Sequence, residues 1–208
     1  MAQIIVAQNV HGIVLASENR ATQLDEAGKE ISLRVNRLLP LTSHCALLTA
    51  GAAEGVEMGG ALRQFVLEEA LTDVQEIYHA SLAFLSTEYD RFMRKKCELL
   101  PIDPIHQVSF ILAGRTEKDP KMPFRLYYLW TKKKLPQMDG DEISCAFSIP
   151  RRMGLEFQLN RMCKENVSLG EILQKVRKEM VQLAEKGEAV FPVSYATISA
   201  QGYQSENP

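Results

Sequence analysis

The sequence predicts an α+β fold of four layers, an αββα sandwich, in which two sheets pack face to face with a pair of helices outside each. Three observations predict it. The apolar runs that read as strands do not alternate with polar residues, so both faces of each strand are covered. The stretches of helical period come in two pairs. The elements run strands, two helices, strands, two helices, strand, with no Gly- or Ser-rich linker between them. Residues 1–200 therefore read as one domain and residues 201–208 as a loose C-terminal tail.

Residues 4–7 and 13–16 are apolar runs on either side of Asn9-Val10-His11-Gly12, which is hairpin turn chemistry. The polar stretch 18–29 leads to Leu38-Leu39-Pro40-Leu41, a Thr42-Ser43-His44 turn and the apolar run 45–51. The period then changes: Val56, Gly60, Leu62, Phe65, Val66 and Ala70 recur three or four apart, predicting a helix over 55–70. Thr72-Asp73-Val74-Gln75 reads as a capping box with Thr72 as the cap. The helix it opens carries Val74, Ile77, Tyr78, Leu82, Leu85, Tyr89, Phe92 and Met93 on one side and ends near Lys96, ahead of Pro101.

Residues 107–114, 124–131 and 142–149 read as three strands joined by the polar loops 115–123 and 132–141. Met153, Leu155, Phe157, Leu159 and Met162 restore a helical period. Ser168-Leu169-Gly170-Glu171 is a second capping box, with Val167 and Ile172 placed as a hydrophobic staple, and its helix reaches about Lys186. Residues 189–199 form the final strand.

Composition narrows the function classes. The 208 residues are 46% hydrophobic and 24% charged, which excludes collagen-like and disordered chains. Lys and Arg number 24 against 26 Asp and Glu, a formal charge of −2, so nothing global favours nucleic acid or anionic membrane. No apolar run is long enough to span a bilayer, and MAQIIVAQNVHG lacks the basic and long apolar regions of a signal peptide. The expectation is a soluble cytoplasmic protein. Cys45, Cys97, Cys145 and Cys163 form no CxxC pair and have no His at ligand spacing. They read as reduced packing thiols, with no metal and no cofactor.

Three segments carry a family likeness: Ala2-Gln3-Ile4-Ile5-Val6-Ala7, Gly12-Ile13-Val14-Leu15-Ala16-Ser17-Glu18-Asn19-Arg20-Ala21-Thr22, and Leu47-Leu48-Thr49-Ala50-Gly51-Ala52-Ala53-Glu54-Gly55. They resemble the opening of proteasome-type, beta-like subunits of the N-terminal nucleophile hydrolase superfamily. The likeness is densest over residues 4–55; beyond them it rests on the order of elements. Such an enzyme attacks with a Thr, Ser or Cys at the start of the mature chain, whose own α-amine serves as base. The resemblance places Ala2 at the nucleophile, Glu18 at the acidic member and Arg37, in Asn36-Arg37-Leu38-Leu39, at the lysine. Arg keeps the charge but not the compact ammonium. The turn ahead of the third helix is altered to Ser148-Ile149-Pro150-Arg151, and a later acid and serine fall on Lys186 and Ala189.

The resemblance therefore implies a proteasome-like subunit without threonine-protease activity, with a vestigial site of Ala2, Glu18 and Arg37 in which the last two would form an ion pair. It would be a structural or binding component, a homo-oligomer or a companion of related subunits, with a peptide as its ligand and neither nucleic acid nor membrane as partner. The alternative is a threonine-type peptidase or other amide hydrolase of the superfamily whose site is unrecognised or completed by a partner.

Other clusters have bland readings beside the functional ones. His44 with Cys45, or His106 with Cys97, would be a rival nucleophilic dyad, but neighbours in a strand point to opposite faces. Arg91, Arg94, Lys95 and Lys96 suit a helix C-terminus, and Lys132, Lys133 and Lys134 suit a solvated loop. Arg151 and Arg152 read either as a surface pair or as a contact for an anion. Gly59 and Gly60 let the first helix approach either the chain's own sheet or a neighbouring subunit.

Overall fold

The computed structural model describes residues 2–24, 30–95, 106–132 and 135–206. Among them lie four helices and three antiparallel sheets, an α+β fold. The first hairpin is β1 (Ile4–Asn9) with β2 (Gly12–Glu18), paired from Ile4 opposite Ser17 to Asn9 opposite Gly12. A second hairpin, β3 (Arg20–Leu24) and β4 (Glu30–Arg34), occupies part of what reads as a polar stretch. β5 (Leu38–Pro40) and β6 (Cys45–Gly51) follow on either side of the expected turn. The helices α1 (Glu54–Glu68) and α2 (Val74–Lys95) come next, then β7 (Val108–Arg115), β8 (Phe124–Thr131) and β9 (Met138–Ile143). β10 (Ala146–Ile149), α3 (Met153–Lys164), α4 (Leu169–Glu185), β11 (Val193–Ser199) and β12 (Gly202–Ser205) complete the chain.

One five-stranded sheet has the order β10-β1-β2-β11-β12 and the other β5-β6-β7-β8-β9. Three apolar clusters explain why the strands do not alternate. Ile4, Val6, Ile13 and Leu15 of the first sheet share a core with Ala46, Leu48, Ile111 and Leu126 of the second. The intervening residues Ile5, Ala7, Val14 and Ala16 pack with Leu159 of α3 and Ile172 and Val176 of α4. On the other side, Leu47, Phe110 and Leu112 pack with Leu62 and Val66 of α1 and Ile77 and Leu85 of α2. With a side-chain period of two, each central strand is apolar on both faces.

Several expectations need correction. The strand expected over 142–149 is two strands in different sheets: β9 pairs with β8, β10 pairs with β1, and the chain crosses between them at Ser144-Cys145. The crossover is hidden because Ile143 and Ile149 feed one shared core from the two sheets. Residues 138–141, expected in a loop, belong to β9, an edge strand whose Gly140 and Glu142 amides are taken by the Asp139 and Asp141 carboxylates. The final strand begins at Val193 rather than at 189, and the tail expected to be loose from 201 contains β12, a polar edge strand on β11. Glu206 beyond it donates its amide to the Tyr195 carbonyl.

The α2 cap is Asp73, whose carboxylate takes the Gln75 amide at 2.9 Å, and not Thr72. The Ser168 capping box forms as expected. On α1, Met58 and Gly59 are buried, whereas Val56 is only half-buried and Gly60 is exposed. The expected end of α2 at Lys96 lies outside the described residues. Among the described residues no helix is long and apolar enough to cross a membrane.

Candidate functional site

Glu18 ends β2 with a side chain fully shielded from solvent, 0% exposed. Its carboxylate is not bare. Oε2 takes the Gln3 amide at 3.0 Å, and Oε1 takes the Val190 amide at 3.1 Å and Arg20 Nε at 3.1 Å. The β1–β2 pairing brings residue 3 to it, and the segment after α4 brings residue 190. Ala2, next to Gln3 in the chain, is 5% exposed and carries only a methyl side chain.

Arg37 is 1% exposed, and three main-chain carbonyls hold its guanidinium: Arg20 O on Nε at 2.8 Å, Thr49 O at 3.2 Å and Gly51 O at 3.0 Å. A planar fork of donors suits three acceptors from two strands, β3 and β6. Burial lowers its pKa from 12.5 to about 10, partly offset by the attraction of Glu18. The ion pair expected between Glu18 and Arg37 is corrected by this geometry. Glu18 pairs with Arg20, and Arg37 acts on Glu18 only through the field between them. Gly51, at φ +87°, turns the chain from β6 into α1 where a Cβ would collide with the Gln107 carbonyl.

A second polar cluster borders the first. Gln3 Nε2 donates to the Glu188 carbonyl at 2.9 Å, and Gln3 Oε1 accepts from Arg152 at 3.2 Å. Arg152 in turn pairs with Glu188 at 2.6 Å. Ser148, in the altered turn, donates both its hydroxyl (2.7 Å) and its amide (3.0 Å) to Glu156 Oε1. Arg151 reaches the same carboxylate at 2.6 Å. Burial alone would raise the Glu156 pKa, but the hydrogen bonds of Arg151 and Ser148 outweigh it and the net direction is down.

Glu156 and Asn160, one turn apart on α3, also close the free edge of β10. Gln8 donates its amide to Cys145, so by the alternation of an antiparallel ladder Ala146 and Ser148 point their amides outward. Asn160 Oδ1 takes the first at 3.0 Å and Glu156 Oε1 the second.

A cleft of about 1050 Å³ runs from Gly51 past Tyr128, Trp130 and Phe147 to Arg151 and Phe157. Tyr128 stacks on Trp130 and lies 4.8 Å from Phe147, with Arg151 4.6 Å over the Phe147 ring. Met153 and Phe157, 72% and 74% exposed, stand one turn apart on its α3 wall.

The matched positions thus come together in part. The Glu18 carboxylate is reached by the amides of Gln3, next to Ala2, and of Val190, next to Ala189, and it lies within the field of the carbonyl-bound Arg37, whereas Lys186 is an exposed C-cap of α4. Reading the sequence missed Gln3, Arg20, Glu156 and Glu188. Arg20, at i+2 from Glu18, carried a weak signal; the others depend on long-range contacts.

The rival sites fare differently. His44 Nδ1 faces Ser43 Oγ at 2.9 Å, whereas the Cys45 thiol faces Thr72 O and is pushed up to about 11 by burial. They form no dyad. Cys97, Lys96, Lys133 and Lys134 lie outside the described residues. Arg91 pairs with Glu88 and Arg94 with Asp90. Among the described residues no three His, Cys, Asp or Glu side chains cluster as a metal site would require. No protein-family model matches this chain, and no curated protein matches it.

Proposed function

We propose that the chain is a proteasome-like subunit of the N-terminal nucleophile hydrolase fold, a cytoplasmic αββα sandwich without threonine-protease activity that assembles with copies of itself and binds rather than cuts. One observation carries the reading. At two of the positions that match the family's catalytic group, the side-chain polar groups are committed to holding the fold: the Glu18 carboxylate to the Gln3 and Val190 amides and to Arg20, and the Arg37 guanidinium to three carbonyls. The side chain at residue 2 is a buried methyl, which cannot attack a carbonyl. The aromatic cleft beside Gly51 offers an extended peptide a place to lie without a nucleophile to cleave it.

Fluorogenic peptides assayed over a pH series are expected to show no turnover. Turnover abolished by a threonine-directed epoxyketone would overturn the reading in favour of a working hydrolase. Native mass spectrometry of the purified protein is expected to show a closed homo-oligomer, and a monomer at micromolar concentration would refute assembly. A chain carrying Ala2→Thr and Arg37→Lys, with Met1 removed, is the constructive test: activity gained there and absent in the parent marks a decayed site.

A further inference from the structure

Cys145 and Cys163 are eighteen positions apart in sequence and meet in space. Cys145, half-buried, sits in the link where the chain crosses from β9 to β10; Cys163, buried, lies in the last turn of α3. Both pack in the core between α3, α4 and the first sheet, and both line one pocket of about 160 Å³. The Cys145 sulfur lies 3.7 Å from the Gln8 carbonyl and 4.0 Å from that of Asn160, one turn ahead of Cys163 on the helix. Among the described residues Lys121 and Lys164 line the same pocket and no carboxylate does; Val10, Met122 and Phe124 supply apolar wall.

The two thiols are unequal. Hydrogen bonding with Cys163 draws the Cys145 pKa below the ordinary thiol range against the cost of burial, and the Lys164 charge helps. The same partnership, with burial, pushes Cys163 up. A half-buried thiol that ionises more easily, lining one pocket with a buried thiol that ionises less easily, suits an attacking and a resolving sulfur.

We propose that Cys145 and Cys163 form a thiol–disulfide exchange site that takes a small anionic disulfide and closes to an intramolecular disulfide. The Cys145 thiolate attacks one sulfur of the incoming disulfide, forming a mixed disulfide and expelling one thiolate. Cys163 then attacks the Cys145 sulfur, its proton passing to the second departing thiolate. The protein dithiol is oxidised by two electrons, and the small disulfide is reduced to two thiols. This site is independent of the reading proposed above and stands whether or not the chain assembles.

The test uses the full reduced chain with oxidised glutathione, quenched at intervals by alkylation and mapped by peptide mass spectrometry. A Cys145–Cys163 disulfide is expected to form while Cys45, buried and pushed up to about 11, stays reduced. Cys163→Ser is expected to accumulate a single glutathionyl adduct at Cys145, and Cys145→Ser to leave Cys163 unreacted. Because two lysines flank the thiolate, oxidised glutathione should react several-fold faster than the cationic disulfide cystamine at low salt, the gap closing as salt screens it. Absence of the Cys145–Cys163 link in the parent chain, or reaction at Cys145 no faster than at Cys45, overturns the site even if the variants fail to fold. Equal rates with cystamine overturn the anionic class of ligand.

Discussion

Arg37→Lys exchanges a guanidinium held by three carbonyls for a compact ammonium, and the structure sets the size and sign of the effect. Burial brings the Arg37 guanidinium from 12.5 to about 10. The same surroundings would bring an ammonium from its ordinary value of about 10.4 to about 8. The folded pKa then lies below the unfolded one, so between about pH 8 and 10.4 the unfolded chain binds more protons and stability rises with pH. Over that window the gain, relative to the parent, is about 3 kcal/mol. At pH 7 the variant is charged, buried and short of partners. A compact ammonium does not span carbonyls contributed by Arg20, Thr49 and Gly51, and losing one or two charge-assisted hydrogen bonds costs about 2–4 kcal/mol. Urea unfolding of parent and variant at intervals from pH 7 to 10 measures both effects. A variant as stable as the parent at pH 7, or one whose difference from the parent does not change with pH, would refute the claim that burial and three-point carbonyl binding govern this position.

Glu156→Ala strips the acceptor from Ser148 and Arg151 and uncovers an outward amide of β10. With Arg151 more than half exposed, a loss at the low end for a buried pair is expected, about 3 kcal/mol by urea unfolding. Glu156→Gln retains an oxygen for Ser148 and should lose less. Because the Glu156 pKa is lowered in the fold, its contribution is present above the ordinary 4.5 and lost as pH falls through the folded value; Glu156→Gln should lack that acid-dependent loss. Gly60→Ala should raise the melting temperature, since nothing lies within 4 Å of its Cβ and Ala gains about 1 kcal/mol in a helix. Gly59→Ala should lower it, as its Cβ meets Leu39 at 3.0 Å and Leu47 and Thr49 at 3.2 Å. Asp73→Ala should cost about 2 kcal/mol by denaturant titration, because Asp73 also takes the Thr116 hydroxyl, whereas Thr72→Ala should cost under about 0.5. Equal losses at the two positions would return the cap to Thr72.

Where one residue type has one physical use, the fold is legible in the sequence. Residues 4–7 of β1, 13–16 of β2 and 45–48 of β6 are apolar without alternation because one set of side chains meets the other sheet and the other meets helices, and that signature survives in sequence. The Ser168 box is a local arrangement of four residues and is legible for the same reason. Edge strands obey another logic. β9 and β12 carry charged and polar residues because a free strand edge in water is protected by them, and the same composition reads as a loop or a tail.

The site divides along the same line. Glu18 and Arg37 are singled out by the resemblance alone, and their relation is not legible, because attraction between opposite charges suggests a pair where geometry assigns each another partner. Glu18 ends a strand two residues before Arg20, which reaches it without help, while Arg37 faces the ends of carbonyls that β6 leaves unpaired at Thr49 and Gly51. A buried guanidinium with five donors is satisfied sooner by several carbonyls than by one carboxylate already accepting two amides. These bonds tie the corner into the fold: freeing either charged side chain would leave a buried carbonyl or amide without its partner.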